Sequence, residues 1–166
     1  MTESPTIREL AVQWWTVRWY PAGMVRRALA GFCAAVVSTL TFHQAMWAML
    51  FLIGLMGPPF PLGTNRFGVP FIVSISIWRG VWGAAYGVAS SWRLMSAWLS
   101  GLVFGVLVGA CEWVSALLQS GEWVVSQQRW LYLLQALLVN GFWGLGLGVM
   151  LAALLARSRR ASERPR

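Results

Sequence analysis

Four long runs of apolar residues dominate the sequence, and short segments rich in proline, glycine or polar residues separate them. The runs cover residues 28–56, 69–90, 94–118 and 130–155. Each is long enough to cross a bilayer, which takes about 20 mostly apolar residues in an α-helix. We therefore predict an all-α integral membrane protein built as a four-transmembrane-helix bundle. The very short turn at residues 91–93 predicts that the second and third helices are antiparallel neighbours.

The segment before the first run, residues 1–27, has a different pattern. Ser4 and Pro5 provide a helix start, and apolar residues then recur with the period of a helix up to Pro21. Trp14, Trp15 and Trp19 crowd the end of that helix. This pattern predicts an amphipathic helix lying in the membrane interface. The alternative is an ordinary helix packed on a partner protein.

Composition agrees with a membrane environment. Hydrophobic residues make up 58% of the 166 residues and charged residues only 11%, whereas soluble domains carry about 25% charged residues. The net charge is +8 and all thirteen basic residues are arginines. The arginines lie mostly at the ends of the apolar runs, so we interpret them as topology signals and expect no nucleic-acid partner.

The arginine distribution also predicts orientation. Residues 1–27, the turn at 91–93 and the tail 156–166 together carry ten arginines, whereas the opposite side has only Arg66 and Arg129. By the positive-inside rule both termini lie in the cytoplasm. We expect a multi-pass protein of the bacterial cytoplasmic (inner) membrane, with no cleavable leader and with a basic tail that is disordered or bound to lipid.

Small residues recur every four positions in each run, which gives each helix a face suited to close approach of a neighbour. We predict that these residues pack the helices together: Gly31, Ala35, Gly83, Gly87, Gly101, Gly105, Gly109, Gly144 and Gly148.

Extending each small-residue face by one turn leads to a polar or ionisable residue, because positions three or four apart share a helix face. The resulting cluster lies in the half of the bundle farther from the termini and consists of His43, Gln44, Arg79, Glu112 and Asn140. Intramembrane ionisable residues are often functional, so the cluster is a candidate site for a small polar ligand, a proton or a lipid head group. The alternative is structural, with Arg79 and Glu112 neutralising each other.

The sequence lacks the residues that most catalytic and cofactor-binding sites require. The chain has one histidine, no aspartate, and no phosphate-binding loop or zinc-ligand spacing. We expect no metal and no cofactor, although a haem shared with a partner chain stays open. Cys33 and Cys111 fall in apolar runs at different depths, and we interpret both as small packing residues.

Three short motifs carry a resemblance to a known group of proteins. They are Thr-Leu-Thr-Phe-His-Gln at 39–44, Phe-Gly-Val-Pro at 67–70, and the spacing of Trp78, Gly80, Trp82 and Gly83. Over roughly residues 28–155 the chain resembles a family of small, uncharacterised four-span inner-membrane proteins of proteobacteria. The resemblance implies the fold and the compartment but no activity. The position of Arg79 is more often glycine in that family, so the resemblance favours His43 and Gln44 as the shared polar centre.

The sequence favours a non-enzymatic accessory or structural subunit that associates with other membrane proteins through its small-residue helix faces. A small transporter or channel for a proton or polar solute, using the polar cluster, is the first alternative. A membrane enzyme acting on lipid is the second. The expected partners are the lipid bilayer and other membrane-protein chains or further copies of this chain.

Overall fold

The computed structural model describes residues 21–90, 95–120 and 127–162. These residues are helical except for the connection at 53–70 and the few residues that flank the helices. Four of the helices are long and apolar enough to cross a membrane: Gly23–Leu52, Phe71–Ala89, Ala97–Gln119 and Arg129–Arg157. The prediction of an all-α chain with four spans is thus confirmed. The predicted interfacial helix before Pro21, the turn at 91–93 and the end of the basic tail lie outside the described residues.

The first span has three parts, an α-helix at Pro21–Ser38, a π-helical turn at Thr39–His43 and an α-helix at Gln44–Leu52. Pro21 begins this helix, a position where its missing N–H costs nothing. The span ends at Leu52 and not at 56, because Gly54 adopts a left-handed conformation with φ +76°. The Gly54 and Leu55 amides donate hydrogen bonds to the carbonyls of Phe51 and Leu50, both at 2.9 Å, which is the pattern of a glycine-terminated helix end.

The residues just before the π-helical turn are hydrogen-bonded to the fourth span. The Ser38 hydroxyl donates a hydrogen bond to the Trp143 carbonyl at 2.6 Å. The Trp143 indole in turn donates to the Ala35 carbonyl at 3.2 Å, which also accepts a bond from the Thr39 hydroxyl at 2.8 Å. The widened turn brings His43 and the next residue, Gln44, into the bundle together, and each is only 2% exposed.

The other three spans are the helices Phe71–Ala89, Ala97–Ser120 and Gln127–Ser162. The second span begins directly after Pro70. Proline lacks a backbone N–H and disfavours the helical conformation in the residue that precedes it, so the helix does not extend toward the loop. The fourth helix continues seven residues beyond the predicted boundary at 155. Five of the seven residues in this extension are alanine or arginine, which favour helix, and the other two are serine.

Close packing joins the spans as two pairs. The first span packs against the second, and the third packs against the fourth. The first and fourth spans connect the two pairs, whereas the second and third do not form a close-packed pair among the described residues. The predicted antiparallel neighbours, the second and third spans, are therefore not closely packed against each other among the described residues.

Glycines produce this close packing. A Cβ atom added to Gly31 would collide with the backbone of Gly83, and one added to Gly105 would collide with the backbone at Asn140 and Gly144. The predicted small residues all lie in these two contacts. Gly31, Ala35, Gly83 and Gly87 lie between the first and second spans, and Gly101, Gly105, Gly109, Gly144 and Gly148 lie between the third and fourth. The small-residue faces are thus occupied within the chain.

Candidate functional site

The predicted polar residues lie toward one end of the bundle, the end where residues 53–70 connect the first two spans, which we call the loop end. His43, Gln44, Arg79 and Asn140 are at most 5% exposed. Glu112 differs, because its side chain is 35% exposed. The structure divides these residues into two groups with separate hydrogen bonds.

The first group joins three spans through Arg79, Glu112 and Asn140. Arg79 Nη2 lies 3.3 Å from Glu112 Oε1, and Arg79 Nη1 donates to Asn140 Oδ1. Asn140 Nδ2 donates to Glu112 Oε2 at 2.9 Å and to the Ala136 carbonyl at 2.9 Å. Each pair among the three side chains is therefore hydrogen-bonded, so the charges of Arg79 and Glu112 partly offset each other within the bundle.

Arg79 also contacts an aromatic ring, and one of its nitrogen atoms lacks a hydrogen-bond partner among the described residues. Its guanidinium carbon lies 5.1 Å from the centroid of the buried Trp143 ring, within the range of a cation–π contact. Its Nε atom and the hydroxyl of Ser76 are buried and have no hydrogen-bond partner among the described residues. Ser76 precedes Arg79 by three positions and lies on the same helix face.

The second group connects the first span to the loop. Gln44 Nε2 lies 3.2 Å from His43 Nδ1, and Gln44 Oε1 accepts a hydrogen bond from the Phe60 backbone amide at 2.9 Å. Because an amide NH₂ can only donate, Nδ1 of His43 is the acceptor and the ring proton resides on Nε2. Phe60 is held at φ 52°, a left-handed conformation that is unfavourable for a bulky residue.

Two more side chains attach the loop to the bundle. The Trp47 indole donates to the Gly57 carbonyl at 2.8 Å, and Gln135 Nε2 donates to the Leu55 carbonyl at 2.6 Å. Gln44 is thus one of several side chains that attach the loop to the spans, and Asn65 of the loop adds a hydrogen bond of 3.3 Å to Ser74 of the second span. His43 and Gln44 serve this attachment, and within the described part of the chain neither is hydrogen-bonded to Arg79 or Glu112.

A crevice of about 490 Å³ opens beside Glu112, between the second and third spans. Its walls include Trp78 and Trp82 from the second span, Cys111 and Ser115 from the third, and Tyr132 from the fourth. The sequence predicts packing roles for both Cys33 and Cys111, but both cysteines are exposed. The volume falls in the range of small-molecule sites, about 300–1,000 Å³.

Aromatic packing closes the crevice on the side away from the loop end. The Phe104 ring lies 6.3 Å from the Trp82 ring and 5.0 Å from the Tyr86 ring. The Tyr86 hydroxyl forms a hydrogen bond of 2.7 Å with the Ser100 hydroxyl. The second and third spans are therefore bridged by side chains below the crevice, although their backbones are not closely packed.

Sequence reasoning placed Glu112 in the cluster but missed the crevice and its aromatic wall. The available signal was the spacing of Trp78 and Trp82, which are four residues apart on one helix face. That face differs from the one that carries Gly83 and Gly87. Comparison of the chain with family models, with curated proteins and with solved structures returns no match in any of the three. The resemblance to a proteobacterial family thus stays a prediction.

The arrangement is suited to binding. Both Glu112 oxygens accept hydrogen bonds from neighbouring spans, so the carboxylate is fixed in position while part of it faces the crevice. Beside it, Trp78 and Tyr132 are 59% and 47% exposed and offer apolar surface. The crevice therefore combines one fixed acceptor with an aromatic wall, which is the composition of a site for a molecule with a polar end and an apolar body.

Proposed function

We propose that the protein is a non-enzymatic accessory protein of the bacterial inner membrane that holds an amphiphilic molecule in the crevice between its second and third spans. The observation that carries this proposal is the partly exposed Glu112 carboxylate on the wall of that crevice. In the orientation predicted by the arginines, the loop end and the crevice lie in the outer half of the membrane.

The packing of the glycines determines which surface we propose for binding. Association through small-residue faces would need such a face to be exposed. The glycines at these faces instead contact neighbouring backbone within the chain. The crevice is a different surface, and its exposed Trp78 and its Glu112 carboxylate support a role in binding.

Passage of a solute is less well supported than binding. A path through the bundle would have to continue past Phe104, which packs between Trp82 and Tyr86. Beyond that point Gly101 packs directly against the backbone of Gly144 and Gly148. This packing favours a molecule bound in the crevice over one transported through the bundle.

Cys111 offers a direct test because it lines the crevice. The variant Cys33→Ser retains Cys111 as its one cysteine. A phospholipid extract of bacterial inner membranes, titrated into the detergent-solubilised variant, should slow the reaction of Cys111 with a thiol reagent several-fold. The matched control is Cys111→Ser, which keeps the exposed Cys33 of the first span. Equal slowing at both cysteines, or no slowing at either, would contradict the proposal.

A further inference from the structure

We infer that the crevice selects an amphiphile that carries an ammonium group, an inference that rests on the proposed binding function and specifies its ligand. Three features support this selectivity: the unused acceptor sites of Glu112, the aromatic wall beside it, and the position of Arg79 behind it.

Glu112 has acceptor capacity to spare. A carboxylate offers about four lone-pair sites, and Arg79 and Asn140 use one site on each oxygen. The side chain of Glu112 is 35% exposed, whereas that of Arg79 is only 6% exposed. The charge at the crevice wall is therefore the carboxylate, and the group that complements it is a hydrogen-bond donor with a positive charge.

The aromatic wall favours the same charge. Trp78 and Trp82 both line the crevice, with ring centroids 6.3 Å apart in an edge-to-face arrangement, and Tyr132 contributes from the fourth span. Aromatic faces attract cations, most strongly when the site is shielded from water. The same rings and the buried Val108 provide an apolar surface for the body of the ligand. An anion would be repelled by the carboxylate, and a neutral amphiphile would gain only the apolar contact.

Arg79 sets a limit on the affinity and on the charge of the ligand. Its guanidinium is shared between Glu112, Asn140 and the Trp143 ring, so it only partly offsets the carboxylate. A ligand with a single positive charge can share Glu112 with Arg79, whereas a dication would meet strong repulsion. Two sources provide this chemistry, a free amphiphilic amine and the ammonium head group of a phospholipid such as phosphatidylethanolamine.

The test uses the full-length Cys33→Ser variant in phosphatidylglycerol nanodiscs, with a neutral methanethiosulfonate reagent that reacts with Cys111. Three probes of similar size are compared: protonated 2-phenylethylamine, neutral 2-phenylethanol and anionic 3-phenylpropionate. We expect the amine to slow the reaction at least threefold, and the alcohol and the anion to have little effect. A second arm replaces half of the phosphatidylglycerol by phosphatidylethanolamine without added probe. Slowing in that arm would support a lipid head group as the source, and slowing by the amine alone would support a free amine.

Substitutions connect the protection to the proposed residues. Glu112→Gln should remove the charge-selective protection by the amine. If that variant does not fold, Trp78→Leu at the exposed aromatic wall should still weaken the protection at least twofold. Equal protection by all three probes would overturn the ammonium selectivity but leave the binding function in place. Absence of protection by any probe and by either lipid, together with a negative lipid-extract titration, would overturn both.

Discussion

Arg79 of the second span and Glu112 of the third form an ion pair at 3.3 Å, across the one neighbouring pair of spans that is not closely packed among the described residues. The two residues also share Asn140 of the fourth span as a hydrogen-bond partner. This three-residue connection joins the second, third and fourth spans beside the crevice.

Replacing Glu112, the more exposed member of the pair, should cost more than replacing the buried Arg79. Glu112→Leu leaves the buried Arg79 cation without its carboxylate, and we expect a loss of about 3–5 kcal/mol in the free energy of unfolding. Arg79→Leu leaves a carboxylate that can reach the crevice, so its cost should be smaller. Unfolding of the detergent-solubilised protein by denaturant measures both.

The double variant Arg79→Leu/Glu112→Leu is the control for this prediction. Because it removes both charges, its destabilisation should be smaller than the sum of the two single costs. Strict additivity would mean that the two side chains do not interact in the folded protein.

Glycines at the backbone contacts should be intolerant of a methyl group. Gly105→Ala and Gly144→Ala place a Cβ against the backbone of the facing helix, and overpacking of this kind costs about 1–3 kcal/mol. Gly57→Ala is the matched control, because nothing lies within 4 Å of its Cβ position. Thermal unfolding of the three variants should give a lower Tm for the first two and an unchanged Tm for the third.

The contact between the π-helical turn and the fourth span should contribute modestly to stability. Ser38→Ala removes the donor to the Trp143 carbonyl, and the loss of one buried hydrogen bond costs about 0.5–1.5 kcal/mol. The same change should leave the protection of Cys111 unaltered, since Ser38 does not line the crevice. A loss of several kcal/mol would indicate that the turn itself depends on this bond.

The attachment of the loop should depend on Gln44. Gln44→Leu removes the acceptor of the Phe60 amide and places an apolar side chain of similar size at this buried position. We expect faster amide exchange and faster proteolysis within residues 53–70, with a smaller change in global stability because the spans keep their contacts. The comparison variant is Gln135→Leu, which removes the bond to the Leu55 carbonyl. A loop unaffected by both changes would show that these bonds do not hold it.

The sequence predicted helix faces better than it predicted which faces meet. A four-residue spacing was enough to place Gly105 and Gly144 on packing faces, and one further turn placed Asn140 beside them. Nothing local marks the π-helical turn at Thr39–His43, which begins beside the hydrogen bond between Ser38 and Trp143, 105 positions apart. The crevice was missed for the same reason, since Trp78 and Glu112 lie on different helices. The helix end at Gly54 was marked by the glycine itself but was placed four residues too late.

The pairing of the spans also determines how the molecule can deform. Each glycine-packed pair is joined backbone to backbone, so a shear within a pair would require many contacts to break together. The two helix pairs meet along the contact between the first and fourth spans. We expect a rotation of one pair relative to the other about the line of this contact to lose the least packing. Rotation about that line changes the separation of Trp78 and Ser115, and therefore the volume of the crevice. We thus expect occupancy of the crevice and the angle between the two helix pairs to be thermodynamically linked, with any bound molecule narrowing the range of that angle.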